Sequence, residues 1–577
     1  MILERLLDFH DAQDRIIPAA LKAQRVRWFL DIDEDGRFLG LSETGAKRKE
    51  WKELIAPYAK RSGSQPPPFL LVDKPDYVLG HVAEAEKLSA TKQEQEQAKA
   101  NDRHAEYVAI TQACAKDVTH PALDAFVGFL DSQLNAARAQ AAQLAMKSGD
   151  LIAPRVGHQI LTDLPAVRRF WQAQQDEAAV EKSNLNAECL VTGKVGPIAR
   201  THPVELLVGP NRVGLVSANE NAFLSYGLQQ SEIAPMSFTA ARKYGEALRH
   251  LLFEDQHNIR VAGVTWVYWT REETEADPLI AVKTADPDEV EKLLQAPRVG
   301  QPRAALEAND FYALAVSANT SRMVVRSWIT TSLAEVQENI RLYFERMRLL
   351  DRDGQPRYHK HTALAGALVR EFKDLPDHVA PDLLNTALWR RPLPLSLLHQ
   401  ALQRARADEH VITHPRAALI KLVLLSNPSL AERYPMSDQL SPDHPHPAYQ
   451  CGRLLALLDR IQRKAINPNA TVVDRFYGSA SSAPASVMGV LLNKARPHLA
   501  KLRKKRGKED WLEWELGKIM AGFDPGVGFP RTLKLEEQGL FAIGFYQERN
   551  RIFEKDDDSS DANDAAANID LASSDTP

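Results

Sequence analysis

The spacing of apolar residues predicts helices and strands in the opening part of the chain. Residues Met1–Asp14 carry their apolar side chains on one helical face. Two apolar runs, Val26–Ile32 and Arg37–Leu41, flank the sequence Asp-Glu-Asp-Gly, which is the signature of a β-hairpin. The polar, Ala- and Gln-rich stretch His81–Lys147 predicts an arm of two helices, the second beginning at Pro121. A mixed helix and strand region therefore opens the chain.

Strand patterns return in the centre of the sequence. Cys189–Val191 is a short apolar run that ends in a Gly- and Pro-rich turn. A helix is predicted over Ser237–Leu252 and a strand over Gly263–Trp269. Phe311–Asn319 and Arg322–Trp328 are two more strands with two residues between them. Their aromatic residues are typical of a core rather than of a surface that stacks on bases.

From Ser332 onward the period of the apolar residues is that of helices. The Pro-rich stretch between Asn427 and Pro447 predicts a boundary, and Ala448–Asp459 is amphipathic. Val487–Leu502 is a further helix, which Pro497 should kink or restart, and Leu533–Arg549 closes the fold. The predicted fold class is α+β, with a mixed amino-terminal body, helical insertions and a carboxy-terminal helical bundle.

These patterns divide the sequence into seven parts. They are an amino-terminal region (1–80), a helical arm (81–150), a central α+β body (151–330), a helical region (331–430), a linker (431–446), a helical bundle (447–553) and an acidic tail (554–577) that is disordered by composition.

Composition indicates a soluble intracellular protein. The 577 residues are 44% hydrophobic and 26% charged, and they contain neither a run of 18 apolar residues nor a signal peptide, so we expect a cytoplasmic protein without a membrane association. The three cysteines, Cys114, Cys189 and Cys451, are far apart, which argues against a zinc site or a disulfide framework. Cys189 is expected to be a small core residue rather than a nucleophile.

The net charge of −4 conceals an uneven distribution. Residues 554–577 carry eight acids and one base, so residues 1–553 have a net charge of +3. This bias is weak, and a nucleic-acid surface would have to consist of local basic patches.

The first basic patch lies in the amino-terminal region. Lys47-Arg48-Lys49 precedes a second cluster, Lys60-Arg61-Ser62-Gly-Ser-Gln65, which a run of three prolines follows. Two cations, a hydroxyl group and backbone amides can hold phosphates or base edges. A solvated surface loop explains the same residues equally well.

Further basic residues occur later in the chain. Arg322 and Arg326 are predicted to face one side of their strand. Lys494 begins a basic edge of a helix that runs into the densest basic cluster of the sequence, which contains Lys501, Arg503, Lys504, Lys505 and Arg506. Such a run is usually a solvated face, but on a helix that already has a basic edge phosphate contact is as plausible.

Motifs of catalysis are missing from the sequence. There is no G-x-S-x-G, no H-E-x-x-H and no phosphate-binding P-loop, because Glu188 and Val195 occupy the positions where that loop needs Gly and Ser or Thr. The sequence therefore predicts no catalytic residue, no metal site and no cofactor.

Several segments in a fixed order resemble one family. They read CLVTG, GPIARTHP, SANENAFLSYG and VTWVYW in the centre, and AYxxGRL, FYGSAS and LEEQGLFAIGFYxxR near the carboxyl end. Together they are similar to the large subunit of the type I-C CRISPR surveillance complex, Cascade. The resemblance covers most of the chain.

The resemblance implies a non-catalytic subunit of an RNA-guided antiviral complex. Its amino-terminal domain would read the PAM, the short duplex tag beside the target, with Lys60, Arg61, Ser62 and Gln65. It would promote strand separation and R-loop formation. Implied partners are the guide CRISPR RNA, target double-stranded DNA, the Cascade backbone and guide-handle-binding subunits, and a helicase-nuclease. An internal translation start, for which Met436 is the candidate, would make the carboxy-terminal bundle as a free small subunit.

Two other functions stay open at this point. The first alternative is a metal-dependent nuclease that uses scattered Asp and His residues, and the second is a purely architectural subunit that joins the guide complex without touching DNA.

Overall fold

The structure is a computed structural model of the 577-residue chain. It describes residues 2–13, 16–59, 61, 66–82, 89–144, 146–180, 185–202, 204–217, 220–223, 226–228, 230–261, 263–274, 277–299, 306, 308–408, 412–506 and 511–552. Lys60, Ser62, Gln65 and the acidic tail lie outside this part of the chain. The described chain forms two compact units, Met1–Asp255 with Ser317–Val324, and Gln256–Val316 with Val325–Pro577.

The first unit is built around a small mixed sheet. Strand β2 lies between β3, to which it is antiparallel, and β5, to which it is parallel, and β6 continues the sheet beyond β5. A second sheet pairs β1 with β4. The strands are β1 (Leu21–Val26), β2 (Trp28–Ile32), β3 (Phe38–Glu43), β4 (Lys52–Pro57), β5 (Ile152–Val156), β6 (Gln159–Ile160), β7 (Asn186–Glu188), β8 (Val195–Pro197), β9 (Leu206–Val208) and β10 (Asn211–Val213). The hairpin predicted around Gly36 is confirmed, since β2 and β3 flank it.

The helices of the first unit pack mainly on the core of this sheet, except that the first and the last of them pack on each other. They are α1 (Ile2–Ala12), α2 (Pro75–Val78), α3 (Ala90–Val118), α4 (Pro121–Ser132), α5 (Leu134–Gln143), α6 (Pro165–Val180) and α7 (Phe238–Phe253). Tyr107 of α3 and Phe126 of α4 are fully buried with Leu30 of β2. Three helices occupy the stretch where the sequence predicts two, because the chain bends at Gln133 and α5 starts immediately afterwards.

The second unit contains a four-stranded sheet and most of the helices. The strand order is β11 (Asn258–Val261), β12 (Val264–Thr270), β13 (Asp310–Asn319) and β14 (Arg322–Ser332), and the tip of the last hairpin is counted with the first unit. The strand predictions over Gly263–Trp269, Phe311–Asn319 and Arg322–Trp328 are confirmed. A short pair, β15 (Leu349–Leu350) and β16 (Pro356–Arg357), follows.

Helices from α8 onward fill the second unit. They are α8 (Ile280–Thr284), α9 (Pro287–Val299), α10 (Leu333–Met347), α11 (His361–Gly366), α12 (Val379–Trp389), α13 (Leu395–Ala407), α14 (His414–Ser426), α15 (Pro428–Arg433), α16 (Pro447–Ile466), α17 (Val472–Ser482), α18 (Pro484–Arg506), α19 (Trp511–Ala521) and α20 (535–552). Helix α18 does not restart at Pro497, which lies inside it. Buried Ala495, Leu499 and Leu502 on both sides of the proline favour a continuous helix, because each contributes to one core.

The helices near the carboxyl end enclose a buried network of charges. Arg453 of α16 lies 2.8 Å from Glu548 of α20 and 3.1 Å from Glu515 of α19, and Arg551 pairs with both carboxylates. Arg453 also donates to the carbonyl oxygen of Pro442 at 2.7 Å. The two arginines neutralise the two carboxylates, which buried charges require. The network joins three helices and ties the preceding Pro-rich segment to α16.

Helix accounts for 54% of the structure and strand for 17%. The sheets lie in the amino-terminal and central parts, and the regular elements described after residue 357 are helices. The predicted α+β class is confirmed. Among the described residues, no helix is both long and apolar enough to cross a bilayer.

Candidate nucleic-acid interface

Arg61, one of the predicted PAM residues, is held in a buried ion pair. Its guanidinium donates to both carboxylate oxygens of Asp73, with Nη1 2.9 Å from Oδ1, and its Nε donates to the carbonyl oxygen of Pro67 at 2.8 Å. The guanidinium carbon lies 3.6 Å from the ring centre of Phe69 and 4.3 Å from that of Tyr77. Planar stacking and a bidentate pair are the interactions that select arginine over lysine.

Asp73 is the centre of this arrangement, which we call the Arg61 anchor. Its side chain is 0% exposed and also accepts from the backbone amides of Phe69 at 2.7 Å and Lys74 at 2.8 Å. Asp73 forms a β-bridge with Ile152, the first residue of β5. The anchor is thereby connected to the central sheet of the first unit.

The anchor fixes the described residues on both sides of 62–65. Arg61 precedes this segment, and Pro66 follows it with its carbonyl oxygen accepting from the Tyr77 hydroxyl at 2.7 Å. Tyr77 therefore contacts the chain before and after the segment. Lys60, Ser62 and Gln65 lie outside the described residues, so their predicted role is still a prediction.

Lys47, Arg48 and Lys49 lie in the exposed turn between β3 and β4. The turn is closed by backbone bonds, with the Glu50 amide donating to the Lys47 carbonyl oxygen at 2.7 Å. None of these three side chains forms an ion pair with a described residue. Their charges are accordingly available to a ligand in solvent.

The pairing of β1 with β4 adds cations that the sequence analysis did not single out. Lys22, Arg25 and Lys52 are exposed on these two strands. The Lys22 ammonium group lies 4.8 Å from the Tyr58 ring centre, and that ring is 5.5 Å from Phe69 of the anchor. Strands β1 and β4, together with the turn that precedes β4, carry six cations and two acids. The strand pairing places Lys22 and Lys52 on one face, because Lys52 lies opposite Val26, and it places Arg25 on the other face. The sequence alone did not show that Lys22 approaches the aromatic rings beside the anchor.

Arg322 and Arg326 are four residues apart on β14 and so belong to one face of the strand. The Arg322 guanidinium carbon lies 3.6 Å from the ring centre of Phe223. Arg326 is exposed. Trp269, Tyr312 and Trp328 pack on one another with ring centres 5.5 to 6.0 Å apart. Trp269 and Tyr312 are 2% exposed and are core residues, as predicted for the aromatics of these strands, whereas Trp328 is partly buried.

Helix α18 presents the second basic surface. Lys494, Lys501, Arg503 and Lys504 are exposed, whereas Leu491, Leu499 and Leu502 are buried. The helix contains seven Lys and Arg residues and no Asp or Glu. Arg503 pairs with Glu513 at 2.9 Å. The side chains of Lys505 and Arg506, at its end, are outside the described part of the structure.

The cysteines differ in their surroundings. Burial raises the pKa of the Cys114 and Cys451 thiols to about 12. Burial also acts to raise the pKa of Cys189, but hydrogen bonds from Thr192 and from backbone amides, including that of Ser237, lower it to about 7. Cys189 is 1% exposed, so it is a core residue, as predicted. Within the described chain, no three His, Cys, Asp or Glu residues are grouped to hold a metal ion.

The described residues include exposed cations at Lys47–Lys49 and along α18, each held on a folded element. Such a surface is typical of proteins that contact nucleic-acid backbones. The family model for CRISPR-associated protein (Cas_Csd1) matches residues 3–553, and the chain belongs to this family. Membership implies a CRISPR-associated large subunit of the Cascade type. A comparison with curated proteins finds no match.

Proposed function

We propose that the chain is the non-catalytic large subunit of a type I-C Cascade complex. In this function it recognises the PAM in double-stranded DNA, promotes strand separation and R-loop formation, and recruits the helicase-nuclease. Guide CRISPR RNA, the backbone subunits and the guide-handle-binding subunit are its partners in the complex. Pairing with the guide then supplies sequence specificity.

The Arg61 anchor is the observation that carries this proposal. A loop that reads bases must be held by rigid structure, because a side chain that is misplaced by about 1 Å loses its hydrogen bonds. The anchor holds the described neighbours of 62–65 by an ion pair, two aromatic rings and a link to the central sheet. In a member of a CRISPR-associated family, this arrangement favours a reading loop over a solvated one.

In this function the residues of the amino-terminal region have three roles. Arg61 positions the loop, because its donors are already engaged by Asp73 and Pro67. Lys60, Ser62 and Gln65 are the residues that contact base edges. Lys47, Arg48 and Lys49, with Lys22 and Lys52, contact phosphates of the same duplex.

Helix α18 has a different part in the proposal. Its exposed Lys494, Lys501, Arg503 and Lys504 contact the backbone of a strand that has been separated from the duplex. Phosphate contacts carry no sequence information, so this helix guides a strand rather than selecting it.

A binding titration tests the proposal. The guide-RNA complex is assembled with and without the chain and titrated with target duplexes that contain an intact or a scrambled PAM. We expect PAM-dependent binding only with the chain. The double variant Ser62→Ala/Gln65→Ala should lose affinity for the intact PAM by about 5- to 150-fold per lost base contact, with an unchanged thermal midpoint.

Arg61→Ala should lower both the affinity and the thermal midpoint, because it leaves the buried Asp73 carboxylate without its partner. Lys92→Ala, at an exposed position of α3, is the matched control and should change neither. Equal binding to intact and scrambled PAM would contradict PAM reading. Binding that does not require the chain would support the architectural alternative. Divalent-metal-dependent cleavage of DNA by the purified chain would support the nuclease.

A further inference from the structure

Helix α19 exposes one large aromatic side chain. Trp514 is 60% exposed, while Leu512, Glu515 and Ile519 of the same helix are buried. Gly517, Lys518 and Ala521 share its exposed face. A single exposed apolar residue is ordinary on protein surfaces. Its neighbourhood decides whether it has a function.

One cation lies over the ring of Trp514, and a second is paired with its neighbour. The Lys518 ammonium group lies 3.4 Å from the centre of its ring. The preceding residue, Glu513, pairs with Arg503 of α18 at 2.9 Å. The tryptophan therefore lies beside the carboxyl end of the basic helix α18.

The adjoining face of α18 is strongly positive. Lys501 and Lys504 are exposed and form no ion pair with a described residue. From Lys494 to Lys504 the helix rises by about 15 Å, so its cations can follow several consecutive phosphates. No acid within α18 offsets these charges.

An exposed indole beside several cations is typical of sites that bind single-stranded nucleic acid. Unpaired bases offer their flat faces to aromatic side chains, and cations hold the backbone. Bases inside a duplex are stacked on one another and have no free face. A protein partner would need an extended apolar patch, but the exposed face of α19 around Trp514 consists of glycine, lysine and alanine.

We propose that Trp514 stacks on a base of an unpaired DNA strand while Lys501, Lys504 and Lys518 bind its phosphates. The inference rests on the proposed function, because opening of the target duplex supplies the unpaired strand. It deepens that function by adding Trp514 as a residue that stacks on a base and Lys518 as a further phosphate contact.

The experiment measures the affinity of the full chain for a fluorescent oligothymidylate and for a duplex of the same length at several salt concentrations. Trp514→Ala should weaken binding to the single strand by about 5- to 150-fold and leave duplex binding unchanged. Trp514→Phe should retain most of the affinity, because phenylalanine also stacks. The double variant Lys501→Ala/Lys504→Ala should weaken binding of both the single strand and the duplex, and the affinity should depend less on salt concentration.

Phe372→Ala is the matched control, since Phe372 is 54% exposed and lies outside α18 and α19. It should bind both ligands like the wild type. The inference is overturned if Trp514→Ala leaves the single-strand affinity unchanged, or if it lowers the affinities for the single strand and the duplex equally. An unchanged single-strand affinity together with loss of assembly into the guide-RNA complex would identify Trp514 as part of a protein-docking face. PAM-dependent binding by that complex is measured separately, so the proposed function can stand when this inference fails.

Discussion

At the scale of single residues, the histidine pair His359 and His414 shows how burial overrides a local pattern. The sequence Tyr-His-Lys-His at 358–361 predicts a solvated turn rather than a metal site. The solvated turn is wrong, since Tyr358 and His361 are each 6% exposed. His359 Nε2 lies 2.7 Å from His414 Nδ1, and His414 Nε2 is 3.3 Å from the carbonyl oxygen of Leu349. Such a contact needs at least one neutral ring.

This pair predicts that stability falls in mild acid. Burial lowers the pKa of both histidines, and that of His359 falls to about 4 with the further effect of His414 and Arg357. Between that value and the unfolded value of about 6.5 the unfolded chain binds more protons, so the free energy of unfolding decreases as pH falls. For His359 the loss from about pH 7 to about pH 5 should be on the order of 1 kcal/mol.

Urea denaturation at both pH values checks this expectation. His359→Gln should reduce the pH dependence, whereas His399→Gln, at an exposed position of α13, serves as the control. An unchanged pH dependence in His359→Gln would show that this residue does not titrate on unfolding.

At the scale of elements, helices α16 and α20 approach until their backbones touch. A Cβ atom at Gly452 would overlap the carbonyl oxygen of Phe541, and one at Gly544 would overlap that of Tyr449. Both glycines therefore act through space rather than through backbone conformation. The close crossing lets Arg453 of α16 reach Glu548 of α20 at 2.8 Å.

Gly452→Ala and Gly544→Ala should each lower the free energy of unfolding by about 1–3 kcal/mol or more, because the helices must move apart. Thermal or denaturant unfolding of the full chain measures the loss. Gly489→Ala is the control, since that glycine lies in α18 with nothing within 4 Å of the added carbon. It should be neutral or stabilise the helix by about 0.5–1 kcal/mol. Wild-type stability in both test variants would mean that the helices can separate without loss.

At the scale of the whole molecule, the acidic tail and the rest of the chain have net charges of opposite sign. Residues 554–577 carry a net −7 and residues 1–553 a net +3. Exposed charges interact with one another over about a Debye length, roughly 10 Å at 0.1 M salt. The acidic residues should therefore compete with DNA for the basic surfaces or repel it.

Deletion of residues 554–577 should raise the affinity for duplexes without a PAM several-fold at low salt, and the difference should disappear as salt increases. Anisotropy titrations of both forms across a salt series provide the measurement. A matched form in which the eight acids are replaced by Asn and Gln should behave like the deletion. Equal affinity of full-length and deleted chains at low salt would disprove the electrostatic effect.

Much of the fold could be predicted because its signals are local. The β2–β3 hairpin, the strands β12 to β14 and the last helix follow from alternation, helical period and turn residues within short windows. Part of the candidate interface was also visible, since the run of cations in α18 is continuous in sequence. The division of His81–Lys147 into three helices was missed, because nothing near Gln133 signals a break.

The sequence by itself determined the fold class, the order of the family motifs and the positions of the cations. Each of these can be read from short stretches of the chain. Only the tertiary structure decided which cations are engaged and which are exposed. Arg61 and Lys47 both belong to short basic clusters of the sequence. Asp73 and two aromatic rings enclose Arg61, whereas Lys47 lies in an exposed turn. The partners that decide such differences come from distant positions: 95 residues separate Arg453 from Glu548. Local patterns do not encode pairs at that separation, since the packing of whole helices and strands brings them together.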